Sequence, residues 1–342
     1  MLKLSIAVET YDRTQALVDG KVQPAGIELE FQQRKTAGPT THRPFVAEIF
    51  QRMIENKEFD ASELGLTYYL RTLNLDDPPF IAIPVFTARF FRHAAIFINT
   101  RSGIRSPQDL KGKRFGEPFS YGTDAGVWAK GILQDEYGVP PASLKHFIGG
   151  MNNPMPRWDW LPFNPFYKFD GSVQELAPGQ TLDKMLDAGE IDALCSPVMP
   201  QSWLDGSANV RRLFEDYETV ERAYFRKTGI YPILHTIVIR RDLYRKEPWI
   251  AQALYAAFKE SKEIAMRGYR IGDGFMHNYY MVPWFAALRD ENRRLMGEDV
   301  WPYGLAANRN AIDTFLRYHH EQGMSKRRYQ PEEIFALETL ND

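Results

Sequence analysis

Cysteine is nearly absent. The 342 residues contain one, Cys195. A disulfide framework within the chain is thereby excluded, as is a metal site built from several thiolates. Cys195 follows "IDAL" with neither a base nor a nucleophile-elbow motif beside it, so it reads as a small core residue. Long apolar runs are missing too, so no segment is a candidate spanning helix. The opening "MLKLSIAVETYDRT" has too short an apolar stretch for a secretory signal, and the expectation is a cytoplasmic chain. Excess charge of either sign is also lacking: 42 Lys and Arg stand against 44 Asp and Glu. No basic field points to nucleic acid, and "SKRRYQ" (325–330) reads as a solvated face. Neither nucleic acid nor membrane is an expected partner.

What is present is an ordinary globular composition, 44% hydrophobic and 13% aromatic, with enough length for two domains. "LKLSIAV" (2–8) alternates as a strand does. Residues 44–60 carry Val46, Ile49, Phe50 and Met53 at helical spacing after Pro44. Strands are expected at 78–86, 92–99, 113–116, 191–195 and 233–241. Helices are expected at 124–139, along "TLDKMLDAGEID", near 216–228 and through most of the chain after 248. Ser106 is placed to cap a short helix, and Gly138 to end the one before Pro140. Residues 150–180 form a long aromatic-rich insertion, with Trp158, Trp160, Phe163 and Phe166 as possible pocket walls.

"ENKEFDASELG" (55–65) and "DAGEIDALCSP" (187–197) share a helix end, an Asp-Ala pair and a short apolar strand. The echo suggests two related α/β lobes with mainly parallel pairing. Asp60 and Asp192 read as turn residues before a strand. The expected division is a discontinuous first lobe, 1–98 plus 232–342 with a helical tail, and a second lobe, 99–231. A ligand would lie between them at the strands' carboxyl ends.

"SPQDLKGKRFG" with "LDAGEIDAL" resembles type II periplasmic-binding-protein-like folds. "TYDRTQAL", "FQRMIENKEFDASELGLTYYL", "PPFIAIPVFTARFFRHAAIFIN", "GIYPILHTIVIRRD" and "WPYGLAANRNAIDTFLRYHHEQGMSKR" are similar to the 4,5-dihydroxyphthalate decarboxylase family. The resemblance runs over nearly the whole chain and departs at about 33–45 and 150–175. It implies a two-lobed fold with a helical C-terminal extension. It also implies a carboxy-lyase acting on a hydroxylated aromatic dicarboxylate and giving a protocatechuate-like product. No organic cofactor is expected, since the ring can itself accept charge; a divalent metal at the catechol oxygens stays open. The competing class is the solute-binding protein of an ABC transporter, built on the same fold. The tail raises the expectation of a homo-oligomer.

Candidate site residues cluster around "ARFFRHAAIFIN" (88–99). Arg89, Arg92 and Arg13 are possible carboxylate clamps, because a planar guanidinium matches a carboxylate with two hydrogen bonds. Strand alternation puts Arg89 and His93 on one face and Arg92 on the other. His93 and His235 are candidates for proton transfer, with Asp12 as base or orienter. The bland readings are a core histidine for each ring and a local Asp12–Arg13 ion pair. Ser120 and Thr123 precede a helix and either cap it or touch the ligand; Trp128 is a possible pocket wall. Glu48 and Glu63 are weaker candidates, and His319–His320 lacks partners at metal-ligand spacing.

Overall fold

A computed structural model describes residues 1–32, 45–155, 173–274 and 281–341. The chain begins with β1 (Leu2–Ala7), α1 (Asp12–Val18), β2 (Ile27–Phe31), α2 (Phe45–Asn56), β3 (Ala61–Gly65), α3 (Leu66–Thr72) and β4 (Phe80–Arg89). Next come β5 (Ile96–Asn99), β6 (Arg114–Pro118), α4 (Asp124–Tyr137), β7 (Lys145–Gly149) and β8 (Val173–Glu175). They are followed by α5 (Leu182–Ala188), β9 (Ala193–Cys195), α6 (Gln201–Leu204), β10 (Val210–Arg212) and α7 (Tyr217–Thr228). Then come β11 (Ile233–Arg240), α8 (Arg241–Lys246), α9 (Trp249–Gly274), α10 (Phe285–Met296) and α11 (Arg309–Glu321).

Two sheets organise these elements, in the orders β2-β1-β3-β11-β4 and β10-β5-β9-β6-β7-β8. β4 and β11 are apolar nearly throughout because both faces of the first sheet are covered. The sheets share a plan. β1 pairs in parallel with β2 and β3, as β6 does with β7 and β9. β11 runs antiparallel between β3 and β4, as β5 does between β9 and β10. Pairing is therefore mixed rather than mainly parallel. The sequence echo has a physical counterpart: Asp60 accepts from the Ser5 amide at 2.9 Å, and Asp192 from the Arg114 amide at 2.8 Å. Each carboxylate ties the head of its strand to the neighbouring one.

Several expectations need correction. Residues 92–99 are not one strand. β4 runs on to Arg89, a 3-10 turn holds His93–Ala95, and β5 then pairs in the second sheet. Period-two alternation across Arg89, Arg92 and His93 therefore fails. The chain after 330 forms two 3-10 turns rather than a helix. The insertion aromatics Trp158, Trp160, Phe163 and Phe166, with His42 and His277, lie outside the described residues.

The main core joins Ile6, Leu64, Ile83, Phe86 and Ile237 to Val127, Trp128 and Ile132 of α4. α4 follows a strand of the second sheet yet packs with the first. The C-terminal segment explains this. In α11, Tyr318 donates to Asp135 at 2.7 Å, and just beyond it Gln322 donates to the Val127 carbonyl at 2.9 Å. Further on, Asn74 donates to the Met324 carbonyl at 3.1 Å, and the Ala336 amide to the Ala82 carbonyl at 2.8 Å. The tail is thus a strap across its own molecule.

Candidate active site

Glu63 is the anomaly of the first sheet. A carboxylate at 0% exposure in the middle of β3 must be hydrogen-bonded on all sides to be tolerated. It receives the Tyr11 hydroxyl at 3.0 Å and the Glu9 amide at 3.0 Å, and His235 Nδ1 lies 2.7 Å from its Oε1. Burial works to raise its pKa, but the His235 contact and the Glu9 amide prevail and hold it below the ordinary value. His235 comes from β11, where it faces Gly65 in register. Its ring meets Phe50 edge-on at 5.1 Å. The side chain is 15% exposed, and Nε2 has no hydrogen bond among the described residues. A carboxylate therefore fixes one imidazole nitrogen and leaves the other for a proton-transfer partner.

The second sheet contributes the loop after β6. Glu117 and Lys130 form an ion pair with both side chains at 0% exposure. Glu117 Oε1 also accepts from the amides of Gly122 and Thr123, each at 2.9 Å, which shapes the turn into α4. Gly126 leaves room for that carboxylate; a Cβ there would overlap it. Phe119 opens the loop at φ +74°, a left-handed conformation unusual for a bulky residue and typical of functional turns.

Asp124, the first residue of α4, bridges the sheets. Its Oδ1 accepts from the Thr67 amide at the start of α3, at 2.7 Å. Oδ2 lies where a Cβ of Gly65 would sit, so only glycine permits the approach. Burial pushes its pKa up to about 6, against the opposing charges of His235 and Arg71. Asp124 thus stands in electrostatic range of the His235 imidazole.

Arg92 completes the group. It is 2% exposed, and among the described residues its only hydrogen bond runs from Nε to the Phe90 carbonyl at 3.0 Å. Nη1 is buried without a partner. No described carboxylate lies within ion-pair distance, although Asp124 and Glu221 contribute to its field. Burial lowers its pKa to about 10. A buried, unpaired guanidinium is costly, and an anionic ligand is what would offset the cost.

Other expected residues take different roles. Arg89 is capped by the carbonyls of Tyr231, at 3.0 Å, and Pro302, at 2.7 Å, and by Asn308. His93 is caged by Phe214 at 5.1 Å and Tyr224 at 5.4 Å, with no partner on either nitrogen. Burial drops its pKa to about 4, which favours the neutral ring among these aromatics. Asp12 and Arg13 form the local ion pair, at 3.0 Å. Arg13 is further fixed by the Thr87 carbonyl and by the Tyr11 and Trp301 rings. Thr123 caps α4 by accepting from the Gly126 amide at 3.1 Å. Ser120 lies against the Tyr68 phenol. Trp128 is a core strut that donates to the Ile233 carbonyl at 2.7 Å. Cys195 is buried, its thiol pushed up to about 12. Glu48 pairs with Arg52 at 3.2 Å. Sequence reasoning missed Asp124 and underrated Glu63. For Glu63 a signal existed: an acid inside an otherwise small and apolar strand.

Among the described residues, no group of three or more His, Cys, Asp or Glu could hold a metal ion. Nor is any described helix long and apolar enough to cross a membrane.

Two sheets of one plan define a two-lobed α/β architecture. A periplasmic sulfonate-binding protein of Methylobacillus flagellatus shares it with a TM-score of 0.51 at 15% identity, covering 98% of this chain and 91% of that one. The fold is α/β and of the type II periplasmic-binding-protein kind. Within that class the sequence is more specific. A 4,5-dihydroxyphthalate decarboxylase of Comamonas testosteroni is 35% identical over 339 residues, which is 99% of this chain and 98% of that protein. Another, of Pseudomonas putida, is 33% identical over 66% of this chain and 82% of its own length. The chain belongs to the 4,5-dihydroxyphthalate decarboxylase family. No family profile matches it.

Proposed function

We propose that the protein is a carboxy-lyase that removes one carboxylate from a hydroxylated aromatic dicarboxylate of the 4,5-dihydroxyphthalate kind, leaving a protocatechuate-like acid. The observation that carries this reading is the buried, unpaired Arg92, near the same Asp124 that faces the Glu63–His235 pair.

In this reading Arg92 holds the retained carboxylate. His235 Nε2 removes the proton from the hydroxyl para to the departing carboxylate, and Glu63 stabilises the imidazolium formed. Electron density rises at the ring carbon bearing that carboxylate. Asp124 delivers a proton to this carbon. The carbon–carboxylate bond then breaks, its electron pair restores the aromatic ring, and carbon dioxide leaves. The phenolate recovers its proton from His235. The departing carboxylate is best left without a strong clamp, since stabilising it in the ground state would raise the barrier.

The alternative is a transport receptor for an aromatic carboxylate. The C-terminal strap favours an enzyme, because it ties α4 to the first sheet and restricts the wide opening that capture and delivery require. Carbon dioxide release from a panel of hydroxylated benzene mono- and dicarboxylates tests the reading. Turnover confined to dihydroxylated diacids is expected; tight binding without turnover would sink it. With Asp124 as the acid, kcat should fall as pH rises through about 6, and Asp124→Asn should remove that limb. The same reading takes the enzyme as cytoplasmic and homo-oligomeric. The exposed Met281, Trp284 and Leu288 support association, and light scattering tests it.

A further inference from the structure

Beside the C-terminal end of β4 lies a cavity of about 640 Å³ that none of Glu63, Arg92, Asp124 or His235 lines. Its size is that of a small-molecule site. Arg89, Tyr231, Tyr255, Lys259, Lys262 and Tyr303 form much of its wall.

Two of these carry unmet polar atoms. Arg89 is 6% exposed, its Nε has no hydrogen-bond partner, and no described carboxylate is within ion-pair distance. Tyr303 is 7% exposed, and its hydroxyl has no partner. Buried donors left in this state are costly, and a ligand oxygen would satisfy both. The charges on the wall can be counted. Arg89, Lys259 and Lys262 are positive; Asp299 and Glu263 are negative. Lys262 is taken up by Asp299 and lies 3.8 Å from Glu263. Lys259 is exposed, and among the described residues it has no ion pair, with the Tyr255 ring 6.0 Å away. One positive charge is left over, which suits a single anionic group. The other lining groups include aromatic faces, those of Phe225, Tyr231, Tyr255 and Tyr303.

We propose that this cavity is a second binding site, for an aromatic monocarboxylate. The carboxylate takes the Arg89 and Tyr303 donors and the charge of Lys259, which also lines the cavity, and the ring packs among the tyrosines. Tyr231 connects the site to the cleft. Its ring stacks on Phe91 at 4.7 Å, and its hydroxyl feels the charge of both Arg89 and Arg92. A ligand here therefore borders the segment that carries Arg92, and the product class of the proposed reaction is the class that fits. The site itself rests on the cavity and not on the cleft chemistry.

Calorimetric titration with benzoate tests the proposal, using the full chain and its Arg92→Gln variant, in which the cleft clamp is gone. One benzoate per chain should still bind to Arg92→Gln. Adding Lys259→Gln, an exposed position with little bearing on folding, should weaken that binding about tenfold, as expected for one charge-assisted contact. Tyr303→Phe should weaken it by a smaller factor, and neutral benzamide should bind far more weakly than benzoate. The proposal is overturned if Arg92→Gln abolishes all benzoate binding, if Lys259→Gln and Tyr303→Phe leave it unchanged, or if benzamide binds equally well. Decarboxylation by the Lys259→Gln variant reports separately on the cleft and should persist.

Discussion

Each sheet of this molecule holds a fully buried carboxylate against a basic side chain, and the two basic partners differ. In the first sheet Glu63 faces His235; in the second Glu117 faces Lys130. Both acids are fully buried, and both take backbone amides. Lys130 has the Tyr121 ring 3.6 Å from its Nζ and ends on Glu117, so the pair serves as a fixed peg for the loop into α4. The His235 imidazole spends one nitrogen on Glu63 and has a second to offer. The same burial thus yields a pair closed on itself in one sheet and, in the other, the pair to which the proposed mechanism gives the proton transfer.

The contrast breaks most sharply through substitution. His235→Gln should lower kcat by ~10²–10⁴-fold, the usual worth of a placed acid–base group, and leave the unfolding midpoint nearly unchanged. If turnover survived, His235 would be no more than a core residue. Glu117→Gln should do the reverse. It leaves Lys130 buried and unpaired and should cost ~3–5 kcal/mol of stability, read by denaturant titration. An unaltered midpoint would show that the pair is not a lock.

A third buried cation candidate sharpens the point. His93 has no partner, and its pKa falls from 6.5 to about 4. The unfolded chain therefore binds the extra proton between these values. The stability due to this ring is complete above pH 6.5 and is lost as pH falls toward 4, by up to ~3 kcal/mol. His93→Phe should flatten the acid limb of stability in that window, with kcat little altered. The smallest expected effect belongs to the strap. Arg317→Ala removes a partly exposed pair with Asp135 and should cost about 0.5–1 kcal/mol. Any accompanying rise in KM would show that the strap also sets the cleft width.

Much of this was legible in the sequence, and the failures have physical causes. The alternation of β1, the apolar runs of β4 and β11, and the Asp60–Asp192 echo all follow from side chains meeting a core. Arg92 and His235 stood out as polar residues in apolar settings. Arg89 and His93 were placed on a shared face because strand periodicity was carried past Arg89, where the chain turns. Asp124 looked like an ordinary first-turn acid of a helix. Its role depends on Thr67 and Gly65, almost sixty residues away, which no local pattern encodes. Glu63 stood as a weaker candidate, because its partner His235 comes from β11, 172 residues further on.

β11 also dictates an order of assembly. It lies between β3 and β4, so those strands cannot pair directly and wait for a partner made some 140 residues later than β4. During synthesis the second sheet can close while the first remains split. Long-range pairing of this kind slows folding and leaves strand edges open to other chains. The strand that finally zips the first sheet is the one that carries His235. A nascent chain therefore cannot assemble the proton-handling pair before the scaffold around it is complete.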